Sequence, residues 1–181
     1  YKVPVVISNC SNNYGPYQFP EKLIPVVILA AAAEQPIPVY GKGENVRDWL
    51  FVDDHAEALL LIAEKGEPGE TYNVGGRAER TNIELVRMIC EIMDERRPDA
   101  KCGRHESLIE FVADRPGHDL RYAVDCSKIE RELGWTPKTP LADGLSATGD
   151  WYLQNRAWIE GVRARGFDGK RLGLAAGAGK E

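Results

Sequence analysis

Asn9-Cys10-Ser11-Asn12-Asn13-Tyr14-Gly15-Pro16 follows the apolar run Val3-Pro4-Val5-Val6-Ile7 at the amino end of the chain. The run is dense in β-branched residues and predicts a buried strand over Val3–Ile7; the polar, glycine-containing stretch predicts a loop at its carboxyl end. In an open α/β sheet ligands sit there, because such loops aim side chains and amides inward. A strand at the very start also implies that earlier strands of the sheet are missing from this sequence.

Outward from this stretch, strand and helix patterns alternate, which gives an α/β class. Pro20 fits the first turn of a helix over about Glu21–Glu34, with Leu23, Val26, Val27 and Ala30 on one face and Pro36 and Pro38 as stops. Ile37–Tyr40 and Val46–Val52 are extended segments, and the glycines of Gly41-Lys42-Gly43-Glu44-Asn45 between them suggest a hairpin. Asp53 is placed to cap a helix over Asp54–Lys65, with Ala56, Leu59, Leu60 and Ala63 as its apolar stripe and Gly66 as its close.

Thr71–Val74 reads as a strand ending in Gly75-Gly76, and Thr81-Asn82-Ile83-Glu84 is a capping box opening a helix to about Arg97. Leu108–Val112 is a further strand, followed by a polar loop over Ala113–Asp119. Ser127-Lys128-Ile129-Glu130 repeats the capping-box pattern ahead of a short helix stopped by Gly134. A last helix over Leu141–Trp158 is weakened by Gly144 and Gly149, and the Gly/Ala/Lys-rich residues from Gly166 onward predict a flexible tail.

With 43% hydrophobic and 28% charged residues, 181 residues can bury a core and fall within the range of one globular domain. A net charge of -5 argues against nucleic acid as the main partner, so an anionic ligand needs locally placed arginines. Cys10, Cys90, Cys102 and Cys126 lie far apart with no metal-ligand spacing, which predicts free thiols, no metal and a reducing cytoplasm. Nothing resembles a signal peptide, and the longest apolar stretch, Val26–Ala33, is too short to span a bilayer.

Arg47 and Arg115 are the candidate anion binders, since a planar guanidinium matches phosphate oxygens; solvated ion pairs with Asp48 and Asp114 are the competing reading. His118 in its Pro-Gly turn can meet phosphate, or is an ordinary loop histidine. Lys22 stands at a helix start, where the dipole favours anions, so it is either held for a ligand or merely solvated. Tyr14 and Tyr40 beside their turns can stack on a base or pack on the turn. Asn12, Asn13 and Asn82 offer two-way hydrogen bonding suited to sugar hydroxyls, although asparagine also favours turns and helix starts.

Gly41-x-Gly43 is not a dinucleotide fingerprint: Val46 stands where the third glycine belongs, and a strand follows rather than a helix. Asp53-Asp54 is explained by capping and carries no catalytic role. No tyrosine is followed by a lysine four positions later, so no Tyr-x-x-x-Lys unit is present, and the residues give no complete catalytic group.

Several of these stretches act together. Ser11-Asn12-Asn13-Tyr14-Gly15-Pro16-Tyr17, Phe19-Pro20-Glu21-Lys22-Leu23-Ile24-Pro25, Tyr40-Gly41-Lys42-Gly43 with Arg47-Asp48-Trp49, Tyr72-Asn73-Val74-Gly75-Gly76, and Asp114-Arg115-Pro116-Gly117-His118-Asp119 closely resemble the dTDP-glucose 4,6-dehydratases of the extended short-chain dehydrogenase/reductase family, over about residues 3–158. The resemblance implies the carboxyl-terminal part of such an enzyme. Residues 1–16 and about 53–76 would complete the Rossmann sheet; about 17–52 and 77–165 would form the small α/β substrate-binding domain, and 166–181 a flexible tail.

It further implies that Asn12 contacts the sugar nucleotide and Asn13 lies beside the nicotinamide of NAD. Lys22, Leu23, Pro38, Val39 and Tyr40 would surround the thymidine and its phosphates. Arg47, Asn82, Arg115 and His118 would hold diphosphate and ribose, with Asp114, Pro116 and Gly117 in the same site. Family members oxidise C4 of the sugar, eliminate water across C5 and C6 and return hydride to C6. The tyrosine base, its lysine, the acidic pair and the glycine-rich cofactor loop precede the matched segment, so this chain alone is expected to be inactive. The tail from Gly161 departs from the family's aromatic carboxyl end. The complete enzyme is expected to be a homodimer; family dimers are built largely from helices outside this segment, so that expectation does not extend to this chain alone. Two other readings stay open: a separate non-catalytic sugar-nucleotide-binding module, and part of a related UDP-sugar epimerase or decarboxylase.

Overall fold

A computed structural model describes residues 3–114 and 116–164. The first strand, β1, is Ile7–Cys10 rather than Val3–Ile7. It runs parallel to β5, Thr71–Val74, with Ile7 opposite Thr71 and Cys10 opposite Val74. Because β5 begins only at Thr71, residues 3–6 have no strand to pair with, and Val3 and Val5 stay exposed. The stretch after it is not all loop either: β2, Asn12–Tyr14, runs parallel to β4, Val46–Phe51.

Helix α1 covers Leu23–Ala32 and buries Ile24, Val27, Ile28 and Ala31, one position away from the expected stripe. Leu-Ile-Pro-Val-Val-Ile-Leu-Ala-Ala-Ala is apolar all round, so periodicity could not choose the face. The expected hairpin does not form. Strand β3, Ile37–Tyr40, runs parallel to β7, Ile109–Val112, whereas β4 takes β6, Glu79–Thr81, antiparallel and β8, Arg121–Tyr122, parallel. Gly41 and Gly43 do adopt positive φ, 58° and 70°, but they turn the chain from one sheet into another.

Helix α2, Val52–Lys65, is capped by neither aspartate: Phe51 is the N-cap residue and makes no side-chain cap. Asp54 is instead buried, and its Oδ2 accepts the amides of Lys138 and Thr139 at 3.1 and 2.9 Å. That role puts Asp54, Ala58 and Ile62 on the inward face at four-residue spacing, and turns the expected stripe of Ala56, Leu59, Leu60 and Ala63 outward.

Helix α3, Asn82–Arg96, begins at the expected capping box, with Thr81 Oγ1 accepting the Glu84 amide and the Glu84 carboxylate accepting the Thr81 amide. A 3-10 turn, His105–Leu108, precedes β7. Helix α4, Ser127–Leu133, has no capping box: Cys126 is the N-cap, Asp125 accepts the Ser127 amide, and Glu130 pairs with Arg77. Gly134 closes it in the left-handed conformation at φ 71°. The expected last helix is two helices, α5, Leu141–Gln154, and α6, Arg156–Ala164, divided at Asn155, whose Nδ2 donates to the Trp151 carbonyl. Gly144 and Gly149 are not weak points. Both are buried, and Gly144 lets the Tyr14 ring approach α5.

Two apolar clusters result. One joins α1, α3 and α5 to β3 and β4 through Ile28, Val39, Trp49, Ile89, Met93 and Leu145; the other joins α2, α4, β4 and β5 through Leu50, Ala58, Ile62, Tyr72 and Ile129. Tyr17, at φ 60°, lies 4.5 Å from the Trp151 ring and seats the 15–19 loop on α5. The tail expected over 166–181 lies outside the described residues.

All four thiols are free, Cys90 and Cys126 buried and Cys10 and Cys102 half-buried. Burial, then the charge of Asp94, pushes the Cys90 thiol up to about 12. Iodoacetamide at pH 8 is expected to label Cys10 and Cys102 and to spare Cys90 until urea unfolds the chain. Cys90 labelling at the rate of Cys102 in the folded chain, read by mass spectrometry, would contradict this packing.

Candidate functional site

Three segments distant in sequence meet around the turn after β3. The β3–β7 register sets Tyr40 opposite Val112, and the Gly41 amide donates to the Val112 carbonyl at 2.9 Å. A Cβ on Gly41 would touch the Asp114 carboxylate at 3.1 Å, so glycine there lets the two loops close. The Ile83 and Asn82 amides at the head of α3 donate to the carbonyls of Gly43 and Asn45, both at 3.0 Å. The Val46 amide donates to the Leu120 carbonyl at 2.7 Å, and Asn45 Nδ2 to the Asp119 carbonyl at 3.1 Å.

Arg47 lies in the middle of this junction and is only 8% exposed. Its guanidinium donates from Nη1 to the Val46 carbonyl at 2.7 Å and from Nη2 to the Asp119 carbonyl at 2.9 Å. The ion pair with Asp48 is not made: Asp48 is buried and spends both oxygens on the Gly76 and Ala78 amides, at 2.8 and 2.7 Å. Among the described residues no carboxylate pairs with Arg47. A buried guanidinium held only by carbonyls keeps free N–H donors and an uncompensated charge, the conditions under which an anion is bound tightly.

His118 Nδ1 lies 2.7 Å from Asp114 Oδ1, which folds the 114–118 loop onto itself beside Gly41, with Pro116 and Gly117 exposed on its rim. Arg115 lies outside the described residues. Tyr40, Arg47, Asn82, Asp114 and His118 therefore share one region. Lys22 is exposed at the head of α1 and pairs with Glu21 at 2.8 Å; among the described residues no hydrogen bond or ion pair ties it or its half-buried neighbour Leu23 to that region. Pro38 is half-buried, and Val39 is part of the main core, at 2% exposure.

Asn12 and Asn13 adjoin the region through β4, with Asn12 opposite Trp49, two residues beyond Arg47. Their side chains differ. Asn13 Nδ2 donates to the Ser11 carbonyl at 3.0 Å and to Cys10 Sγ at 3.4 Å, and its Oδ1 lies 2.7 Å from His55 Nδ1. His55, in the first turn of α2, passed unnoticed in the sequence. The available signal was its place just beyond the carboxyl end of β4, but Asp53-Asp54 drew the reading toward capping. Burial lowers its pKa and favours the neutral ring.

On the Asp48 side of β4 an open cleft is lined by Asp48, Arg77, Glu79, Arg80, Ala123 and Val124. At this cleft Arg77 pairs with Glu130 and Glu79 with Arg121, and Arg80 Nη1 donates to the Glu79 carbonyl at 2.6 Å. Among the described residues no group of His, Cys, Asp or Glu side chains can hold a metal ion, and no helix is long and apolar enough to cross a membrane. The described residues do not build a dinucleotide site: the Gly41-x-Gly43 turn joins two strands, and the Asn13 amide is already committed. The arrangement can hold an anion and hydrogen-bond hydroxyls.

Known proteins share this architecture. The dTDP-glucose 4,6-dehydratase of Escherichia coli is 54% identical over 176 residues, which are 96% of this chain and 49% of that protein. A probable dTDP-glucose 4,6-dehydratase of Sinorhizobium fredii is 56% identical over 174 residues, with the same shares. The chain thus spans about half the length of the curated relatives it matches. Among solved structures, dTDP-glucose 4,6-dehydratase from Bacillus anthracis in complex with NAD superimposes with a TM-score of 0.77 at 43% identity, over 90% of this chain and 49% of that one. A UDP-glucose 4-epimerase from Thermotoga maritima with UDP-glucose gives 0.73 at 27% identity, over 83% and 46%. The α/β class and the likeness to extended short-chain dehydrogenases/reductases are thereby established. The family model described as GDP-mannose 4,6 dehydratase matches residues 1–148, and the chain belongs to that family.

Proposed function

We propose that the chain is the substrate-binding half of a dTDP-glucose 4,6-dehydratase, which converts dTDP-glucose to dTDP-4-keto-6-deoxyglucose by NAD-dependent oxidation, water elimination and reduction. The observation that carries the reading is Arg47, a buried guanidinium with no carboxylate partner among the described residues, set beside the head of α3 and the 114–119 loop. In this reading Arg47, Asn82, Arg115 and His118 take diphosphate and ribose, and Lys22, Leu23, Pro38, Val39 and Tyr40 flank the thymidine. Asp114, Pro116 and Gly117 shape the loop between them. Asn12, whose side-chain amide makes no hydrogen bond among the described residues, meets the sugar nucleotide, and Asn13 backs the nicotinamide.

NAD would supply hydride transfer in the whole protein, which we read as a cytoplasmic homodimer. We read segments 1–16 and about 53–76 as completing the Rossmann sheet and about 17–52 and 77–165 as a substrate-binding domain; the second apolar cluster crosses this division, packing Ile129 and Trp135 with Ala58, Ile62 and Tyr72. With no Tyr-x-x-x-Lys and no glycine-rich cofactor loop in its sequence, the 181-residue chain is expected to bind the substrate and not turn it over.

Calorimetric titration with dTDP-glucose and UDP-glucose tests the substrate. The dTDP sugar is expected to bind more tightly. A UDP preference would overturn the thymidine assignment in favour of an epimerase or decarboxylase, and 4-keto sugar formation by the chain with NAD would overturn the expected inactivity.

A further inference from the structure

The hydrogen bonds of Asn13 fix an assignment. The Ser11 carbonyl can only accept, so the Asn13 atom 3.0 Å from it is the amide nitrogen, and the oxygen faces His55 Nδ1 at 2.7 Å. An amide oxygen can only accept, so Nδ1 carries the proton. In the neutral ring Nε2 is then a bare acceptor.

The other partners of Asn13 are local: Cys10 and Ser11 at the end of β1, and Gln18, whose Nε2 donates to the Asn13 carbonyl at 2.7 Å. His55 is 42 residues away, and among the described residues it makes the one side-chain hydrogen bond that ties Asn13 to a helix. It joins the first turn of α2 to the strand that presents Asn12.

We propose that His55 is a positioning residue: its Nδ1–H fixes the amide of Asn13, and the fixed amide holds β2 so that Asn12 faces the sugar nucleotide. The functional half of this statement rests on the reading of Asn12 and Asn13 given above. Neither side chain of the His55–Asn13 pair needs to move a proton; the pair sets geometry, where small misplacements cost affinity or rate.

The test uses the full 181-residue chain. Long-range 1H–15N correlation on labelled protein is expected to show His55 as the Nδ1–H tautomer, and the Nε2–H tautomer would overturn the assignment. His55→Phe removes the donor, and His55→Asn restores an N–H near the Nδ1 position. The Phe variant is expected to shift the Asn13 side-chain NH2 resonances and weaken dTDP-glucose binding roughly tenfold. The Asn variant is expected to recover most of both. Equal binding by all three proteins, or equal loss in both variants, would overturn the positioning role. Should the unsubstituted chain fail to bind dTDP-glucose, the substrate reading falls; the proposal is then decided by Asn13, and unchanged NH2 resonances in His55→Phe would overturn it.

Discussion

Gly76→Ala is expected to destabilise the chain more than any other single methyl addition considered for its glycines. A Cβ at this position would be driven into the carbonyl oxygen and carbon of Trp49 and would come within 3.0 Å of Leu50 Cα, so the obstacle is backbone rather than a rotatable side chain. Trp49 and Leu50 cannot retreat freely, because they pair with Asn12 and Asn13 across β2–β4. Gly76 itself is held by its amide on Asp48 Oδ2 at 2.8 Å. Relief requires opening one of these contacts, at a cost of about 3 kcal/mol or more. For a domain of this size that lowers Tm by roughly 6–12 °C in a circular-dichroism melt. Gly117→Ala is the control. Its φ of 69° carries some strain but nothing lies within 4 Å, so about 1 kcal/mol is expected. A Gly76→Ala shift no larger than that of Gly117→Ala would mean that β4 and the Gly75-Gly76 turn are not packed as described.

Arg47→Met separates binding from stability. Methionine keeps most of the buried volume and removes the charge, and no buried carboxylate is orphaned. Only the Val46 and Asp119 carbonyls lose a donor, at about 1 kcal/mol each. The melt is expected to move by a few degrees at most. Affinity for dTDP is expected to fall about 100-fold at low salt, since charge-assisted hydrogen bonds to phosphate are each worth about 1.5–3 kcal/mol. Calorimetry on both proteins measures this, and equal affinities would remove Arg47 from the site.

Much of the local structure was legible. Thr71–Val74 is a strand to the residue, the Thr81–Glu84 capping box opens α3, and Gly41, Gly43 and Gly134 take the positive φ their turns require. These features depend on neighbours in sequence. The pairing of β3 and β4 did not, because a Gly-x-Gly turn serves a hairpin and a change of sheet equally well. The residues that decide between them, Ile109–Val112 and Glu79–Thr81, are distant. Strands β6 and β8 are three and two residues long, too short for alternation to register.

The face of α2 was misread for a related reason. An apolar stripe at helical spacing marks the core only when no buried polar contact competes, and Asp54 turns the helix to reach the Lys138 and Thr139 amides. At the site, the residue types pointed to an anion and a sugar, whereas the burial of Arg47 and its carbonyl-only company emerge only when β4, the head of α3 and the 112–120 segment converge. His55 was invisible because its partner, Asn13, is a strand away.

The most direct test of the account is amide chemical-shift mapping of the 15N-labelled chain during titration with dTDP. The account predicts saturable shifts concentrated on the amides of Arg47, Asn82, Asp114, Arg115, Gly117, His118, Asp119 and Asn12. Shifts concentrated instead on the cleft lined by Arg77 and Arg80, or no saturable shifts at all, would contradict it.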